Sequence, residues 1–211
     1  MKLARRQFGK LTLATLAAAA TVAPSGGTFA AATDEPELGA NGLYVQDWFL
    51  DSFLDLKEDF AEAASEGKNL AVMWEQEGCP YCREMHRVNL AHDDIRSYIQ
   101  QNFTIVQLDM WGAREVTDFD GEAGEERAMA RKWNVNFTPT IMFFPHELAD
   151  VEGKTALQAE VIRMPGYFKP FHFVSMFEYV RDRHYETQGF QRFVHDRFQK
   201  LKAEGKDPDI W

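Results

Sequence analysis

The sequence predicts an α/β domain in which a central mixed β-sheet is flanked by helices, with an extra C-terminal helix. Three observations carry this. Short apolar runs at 69–75, 103–108 and 140–144 are partly β-branched and read as buried strands. The stretches between and around them place apolar side chains at helical spacing. Seventeen Phe among 211 residues supply a packed interior and argue against disorder.

Residues 1–30 read as a signal peptide. Lys2, Arg5, Arg6 and Lys10 form a basic start, 11–23 is an Ala-rich apolar run, and Thr28-Phe29-Ala30 or Ala30-Ala31-Ala32 offers small residues for cleavage. The run is too short and too weakly apolar for a comfortable transmembrane helix. Within it, Arg5-Arg6-Gln7-Phe8-Gly9-Lys10 resembles the twin-arginine export signal, the alternative being a general secretion signal that happens to hold two arginines. Either route leads out of the cytoplasm, and the expected location is a bacterial periplasm. Without the leader, 19 basic residues face 33 acidic ones, formally −14. Such a surface repels nucleic acid and anionic lipid, so no nucleic-acid partner is expected.

Residues 31–42 form a polar lead-in, expected to be mobile, and 43–185 form the domain. Its first helix is predicted over 52–66, with Asp51 or Ser52 as cap, Phe53, Leu56, Phe60, Ala63 and Ala64 on the apolar face and Gly67 as stop. Strand 69–75 follows, and Glu77-Gly78 turns the chain into a helix that continues through Met85 and Val88. A further helix starts at His92-Asp93-Asp94 and carries Ile95, Tyr98 and Ile99. Strand 103–108, an irregular excursion at 111–120 and a helix at 122–133 come next. Strands at 140–144 and 159–163 flank a turn region, and helices at 170–185 and 189–204 close the chain. Phe190, Phe193, Val194, Phe198 and Leu201 form an apolar stripe on the last of these, within the C-terminal extension 186–211, expected to pack onto the domain.

Cys79-Pro80-Tyr81-Cys82 holds the only two cysteines of the chain and lies where a strand gives way to a helix. At a helix N-terminus, unpaired N–H groups and the helix dipole favour negative charge, which makes a thiolate available at Cys79 near neutral pH. Pro80 suits the first helical position because its missing N–H has no partner to lose there. One turn on, Cys82 can attack a mixed disulfide at Cys79 and release the partner. A structural disulfide across so short a loop would stabilise little. A zinc site from Cys79, Cys82, His86 and His92 is the main rival, although all four crowd one helix and its end. Covalent haem is excluded, since Arg83 stands where that attachment motif needs His. His172, His184 and His195 are too dispersed for a compact metal motif, and no bound metal is expected.

The order of elements with Cys-x-x-Cys after the first strand resembles the thioredoxin fold. Thr138-Pro139-Thr140 looks like that family's cis-proline loop and Met164-Pro165-Gly166-Tyr167 like its later glycine turn. Glu75 to Cys82, 111–120, Phe137-Thr138-Pro139-Thr140 and Pro165-Gly166-Tyr167 with Pro170-Phe171-His172-Phe173 are similar, more narrowly, to the SoxW-type and related periplasmic thioredoxins. The resemblance implies a thiol-disulfide oxidoreductase whose redox group is the Cys79–Cys82 disulfide, with no other cofactor. It also implies a substrate groove shaped by Pro80, Tyr81, Thr138, Pro139 and Gly166. Periplasmic protein disulfides are the implied partners, a membrane electron transporter the implied reductant, and reduction the implied direction. A disulfide-forming oxidase of the DsbA type is the alternative, but its inserted helical domain is missing.

Two departures from the family pattern matter. Met73 occupies the position of the buried acid that manages the second cysteine's proton, leaving Glu75 or Glu77 as candidates for that transfer. Gly78 replaces the usual aromatic before the first cysteine, which predicts a more open rim around the sulfur. Pro80-Tyr81 is the dipeptide typical of glutaredoxins, yet that family's glutathione-holding residues are not recognisable here.

Overall fold

The computed structural model describes residues 35–206 and Pro208. The signal-peptide reading of 1–30 therefore lies outside the described residues. Among them, no helix is long and apolar enough to cross a membrane.

The sheet is built outward from β1 (Asn69–Glu75), whose seven residues are all buried, as expected of a strand covered on both faces. β2 (Phe103–Asp109) pairs with it in parallel, from Asn69 opposite Phe103 to Glu75 opposite Asp109. On its other side β5 (Thr140–Phe143) runs antiparallel, and β6 (Ile162–Pro165) pairs antiparallel with β5, so the order is β2-β1-β5-β6. The parallel β1–β2 pair needs a crossover, and α2 (Pro80–Glu84), a π-helical turn at Met85–Leu90 and α3 (Asp93–Asn102) supply it.

Alternation along the strands divides the interior into two layers. Val72, Trp74, Val106, Leu108, Met142 and Phe144 pack against α1 (Leu56–Ser65) and α4 (Glu126–Lys132). Ala71, Met73, Phe103, Ile105, Ile141 and Phe143 pack against α3 and α6 (Pro170–Arg181). The final helix α7 (Phe190–Ala203) lies on α6. There Phe193 is buried, Phe198 meets the edge of Phe171, and Arg197 sits 4.9 Å above the Phe171 ring while pairing with Glu178.

Three elements differ from their sequence-based outlines, two because strand pairing competes with helical spacing and one because a short capped helix takes its start. The first helix starts at Leu56, capped by Asp55 rather than Asp51 or Ser52. Its predicted first turn instead bridges to β3 (Glu115–Thr117), with Thr117 N–H donating to the Leu54 carbonyl at 2.8 Å. Phe53, predicted on the apolar face, is 97 % exposed as a result. The start of the predicted 122–133 helix is the strand β4 (Ala123–Glu125), hairpinned to β3 across the excursion. The strand predicted at 159–163 begins later, because Thr155 and Gln158 form a capping box that starts the short helix α5 (Ala156–Ala159).

The lead-in predicted as mobile is docked where it is described. Leu38 bridges Tyr44, Glu35 pairs with Arg83, and the Val45 N–H donates to the Glu37 carbonyl at 2.9 Å. The sequence of this segment gives no periodicity that would announce these contacts.

Ser52 does not cap the helix; its hydroxyl lies 2.6 and 2.7 Å from the two carboxylate oxygens of buried Asp59. Burial outweighs the Ser52 bond and, with help from Glu62, Asp55 and Glu58, pushes Asp59 up to about 6. An acid raised on folding contributes stability that is full below its unfolded value and lost as pH rises through its folded one. Urea melts of wild type at about pH 4.5 and about pH 7 should therefore show a fall that Asp59→Asn reduces, with the variant the more stable at neutral pH. Equal pH dependence in the two proteins would refute the assignment.

Candidate active site

Cys79 is the N-cap of α2, and Pro80 takes the first helical position, as the sequence predicts. Gly78 makes the turn with φ +71°, a conformation that a side chain would strain. Cys79 and Cys82 are joined in a disulfide, and the Cys79 sulfur accepts the Cys82 backbone N–H at 3.0 Å. When the disulfide opens, the same N–H and the helix dipole are placed to favour negative charge on Cys79. Cys82 is fully buried behind it.

Thr138-Pro139 closes the opposite side. The bond between them is cis, and the Thr138 hydroxyl donates to the Cys79 sulfur at 3.3 Å. Gly166, at φ +85°, donates its N–H to the Pro139 carbonyl at 2.7 Å, so the glycine turn and the proline loop form one wall. Tyr81 is exposed beside the cysteines and stacks on Tyr167 with ring centres 6.4 Å apart and planes 14° apart. The π-helical turn holds this wall in place: buried Asn89 donates to the Phe168 carbonyl at 2.8 Å and accepts from the Tyr167 hydroxyl at 3.3 Å.

The open rim expected from Gly78 is absent, since Cys79 is only 2 % exposed. The Thr138 side chain lies against the sulfur. Trp111, 64 % exposed, is fixed by its indole N–H to Gln76 Oε1 at 2.8 Å, and Phe137 is 52 % exposed just before Thr138. The sequence motifs did not single out Phe137, Tyr167 or Asn89 as site residues. Their adjacency to the cysteine and glycine motifs was the available signal.

The two candidates for proton transfer separate. Glu77 is exposed and its side chain lies along Gly42, whereas Glu75 is fully buried and 2.8 Å from His86 Nε2. That pairing also bears on the zinc reading. His86 is turned to Glu75 and Gln46, the cysteines are bonded to each other, and among the described residues no three His, Cys, Asp or Glu side chains form a metal-holding group.

The family profile of thioredoxin-like domains matches residues 56–181, more than half of the chain and all of the site just described. The chain belongs to the thioredoxin-like domain family. Solved structures with this fold include a thioredoxin-fold protein from Helicobacter pylori, 19 % identical, covering 70 % of this chain and 94 % of its own, TM-score 0.46. A thioredoxin from Thermus thermophilus is 22 % identical and covers 58 % of this chain and 81 % of its own, TM-score 0.45. The oxidised C-terminal domain of DsbD from Neisseria meningitidis is 15 % identical and covers 60 % and 93 %, TM-score 0.39. No curated protein matches the sequence significantly. As a thioredoxin-like domain with its Cys-x-x-Cys pair at disulfide distance, the chain has the equipment of a thiol-disulfide oxidoreductase in general.

Proposed function

We propose that this chain is a periplasmic thiol-disulfide oxidoreductase that reduces disulfides in partner proteins. The supporting observation is the Cys79 sulfur, which lies at a helix N-cap, bonded to Cys82 and faced by the Thr138 hydroxyl. In the reduced form, Cys79 thiolate attacks a partner disulfide and Cys82 then displaces the partner from Cys79. The partner lies as an extended segment between Tyr81 and Pro80 on one side and Thr138, Pro139 and Gly166 on the other. A membrane electron transporter restores the dithiol, since a reductant in an oxidising compartment needs a supply of electrons. The similarity to SoxW-type thioredoxins extends the reading to partners in sulfur oxidation.

Thiol trapping in the native host tests location and direction together. The chain is expected in processed form in the periplasm, with Cys79 and Cys82 largely reduced. Changing Arg5-Arg6 to Lys-Lys should block its export if the twin-arginine route is used. A pair found oxidised in growing cells would reverse the direction, and normal export of the Lys-Lys variant would rule out that route.

A further inference from the structure

Glu75 and His86 are 0 % and 1 % exposed, and cysteine exchange as described above makes no use of them. His86 Nδ1 lies 3.1 Å from Gln46 Nε2, and Gln46 Oε1 lies 3.1 Å from the Trp48 indole nitrogen. An indole N–H can only donate, so the Gln46 atom beside it is the carbonyl oxygen and the Gln46 amino group points at His86. Nδ1 of His86 must then accept. The proton of the neutral imidazole sits on Nε2 and is donated to Glu75 Oε1 at 2.8 Å. Hydrogen bonding thus runs one way, from Trp48 through Gln46 and His86 to Glu75.

That chain ends on a carboxylate with capacity to spare. Glu75 Oε2 is buried and has no hydrogen-bond partner among the described residues, a costly arrangement for an oxygen that is not meant to receive a proton. Glu75 closes β1 on the sheet face shared with Met73. Cys82 and His86 are four residues apart in one helical run and both buried, so they lie on the same inward side of that run. The other ionisable groups about the pair are few. Asp109 is the cross-strand neighbour of Glu75, half-buried and already accepting the Trp111 N–H at 2.9 Å. Tyr44 has its ring 5.7 Å from that of His86, and a tyrosine is neutral near pH 7.

We propose that Trp48, Gln46 and His86 are positioning residues that hold Glu75 as the acceptor of the Cys82 proton. The inference rests on the dithiol-disulfide reading of the site. Starting from a mixed disulfide between Cys79 and a partner, the Cys82 S–H proton passes to Glu75 Oε2. The Cys82 sulfur bonds to the Cys79 sulfur, the bond from Cys79 to the partner breaks, and its electron pair leaves on the partner sulfur, which takes a proton from solvent. Over attack and resolution together, the cysteine pair is oxidised by two electrons and the partner disulfide is reduced by the same two. Gln46 matters because its N–H disfavours a proton on Nδ1. A proton on Nδ1 would set two N–H donors against each other, so Gln46 keeps Nε2 as the nitrogen that donates to Glu75 Oε1.

Single-turnover kinetics on the mature chain test this with a fluorescent disulfide-bonded peptide, from about pH 5.5 to about pH 9. Attack is read as mixed-disulfide formation in a Cys82→Ser background, and resolution as peptide release with both cysteines present. Gln46→Leu removes the donor to Nδ1, whereas Gln46→Glu replaces it with an acceptor that favours the imidazolium. Both should slow resolution at least about tenfold and displace its pH profile, with attack within about twofold of wild type. Glu75→Gln, of equal size, should slow resolution further while also sparing attack. Unchanged resolution profiles in the Gln46 variants, or attack and resolution falling in step, would overturn the proposal. Wild type that forms no mixed disulfide at all would instead remove the oxidoreductase reading, and the relay with it.

Discussion

Replacing Cys79 by serine is expected to reduce insulin-disulfide cleavage to the uncatalysed background, while Cys82→Ser accumulates covalent adducts with its partners. The asymmetry follows from position. Cys79 is the N-cap, where its sulfur already accepts the Cys82 N–H at 3.0 Å, and it faces the Thr138 hydroxyl. A hydroxyl there is not ionised near neutral pH and cannot open a disulfide. Cys82 is fully buried behind Cys79, so a partner meets Cys79 first and Cys82 can act only afterwards. Non-reducing gels of each variant incubated with a periplasmic extract provide the measurement. Adducts formed equally by both single variants would remove the division of roles.

Asp118→Ala should be the most damaging change outside the cysteines, costing about 3 to 5 kcal/mol of the 5 to 15 kcal/mol typical of a domain. Asp118 is fully buried just beyond β3, and its carboxylate joins segments distant in sequence. It accepts the Trp133 indole N–H at 2.7 Å, the Ala156 N–H at 2.7 Å and its neighbour Phe119 N–H at 2.8 Å, and meets Lys132 Nζ at 2.9 Å. Alanine would leave these donors buried without an acceptor, together with a lysine that loses one of its three carboxylates. Urea unfolding at pH 7 reads the effect directly. A loss below about 1 kcal/mol would mean that water or Asp120 replaces the carboxylate and that Asp118 is not the tie it resembles.

The fold and the redox pair were legible in the residues because each rests on local rules. Strand 69–75 shows itself as an uninterrupted apolar run, since a strand buried on both faces has no polar side to alternate with. Cys79, Pro80 and Gly78 could be placed at a strand-to-helix turn because each has a backbone reason to be there. The same local logic failed at 52–55 and 122–125, where helical spacing was present but backbone pairing with β3 claimed the residues. The partner of Leu54, Thr117, lies far along the chain, and 123–125 pairs with β3 in a hairpin; neither pairing leaves a trace in the helical spacing of its segment.

Thus the sequence by itself determined the succession of the sheet's strands and the cap that carries Cys79, which depend on neighbours within a few residues, while the proline loop was legible only through the resemblance to thioredoxins. Only the tertiary structure buried Glu75 and left Glu77 exposed, directed His86 to a carboxylate and Gln46, and shielded Cys79 behind Thr138. Those outcomes turn on burial and on which donor meets which acceptor across Gln46, Glu75, His86 and Thr138. These residues come from separate segments, and a pairing between separate segments exists only once the chain has closed on itself.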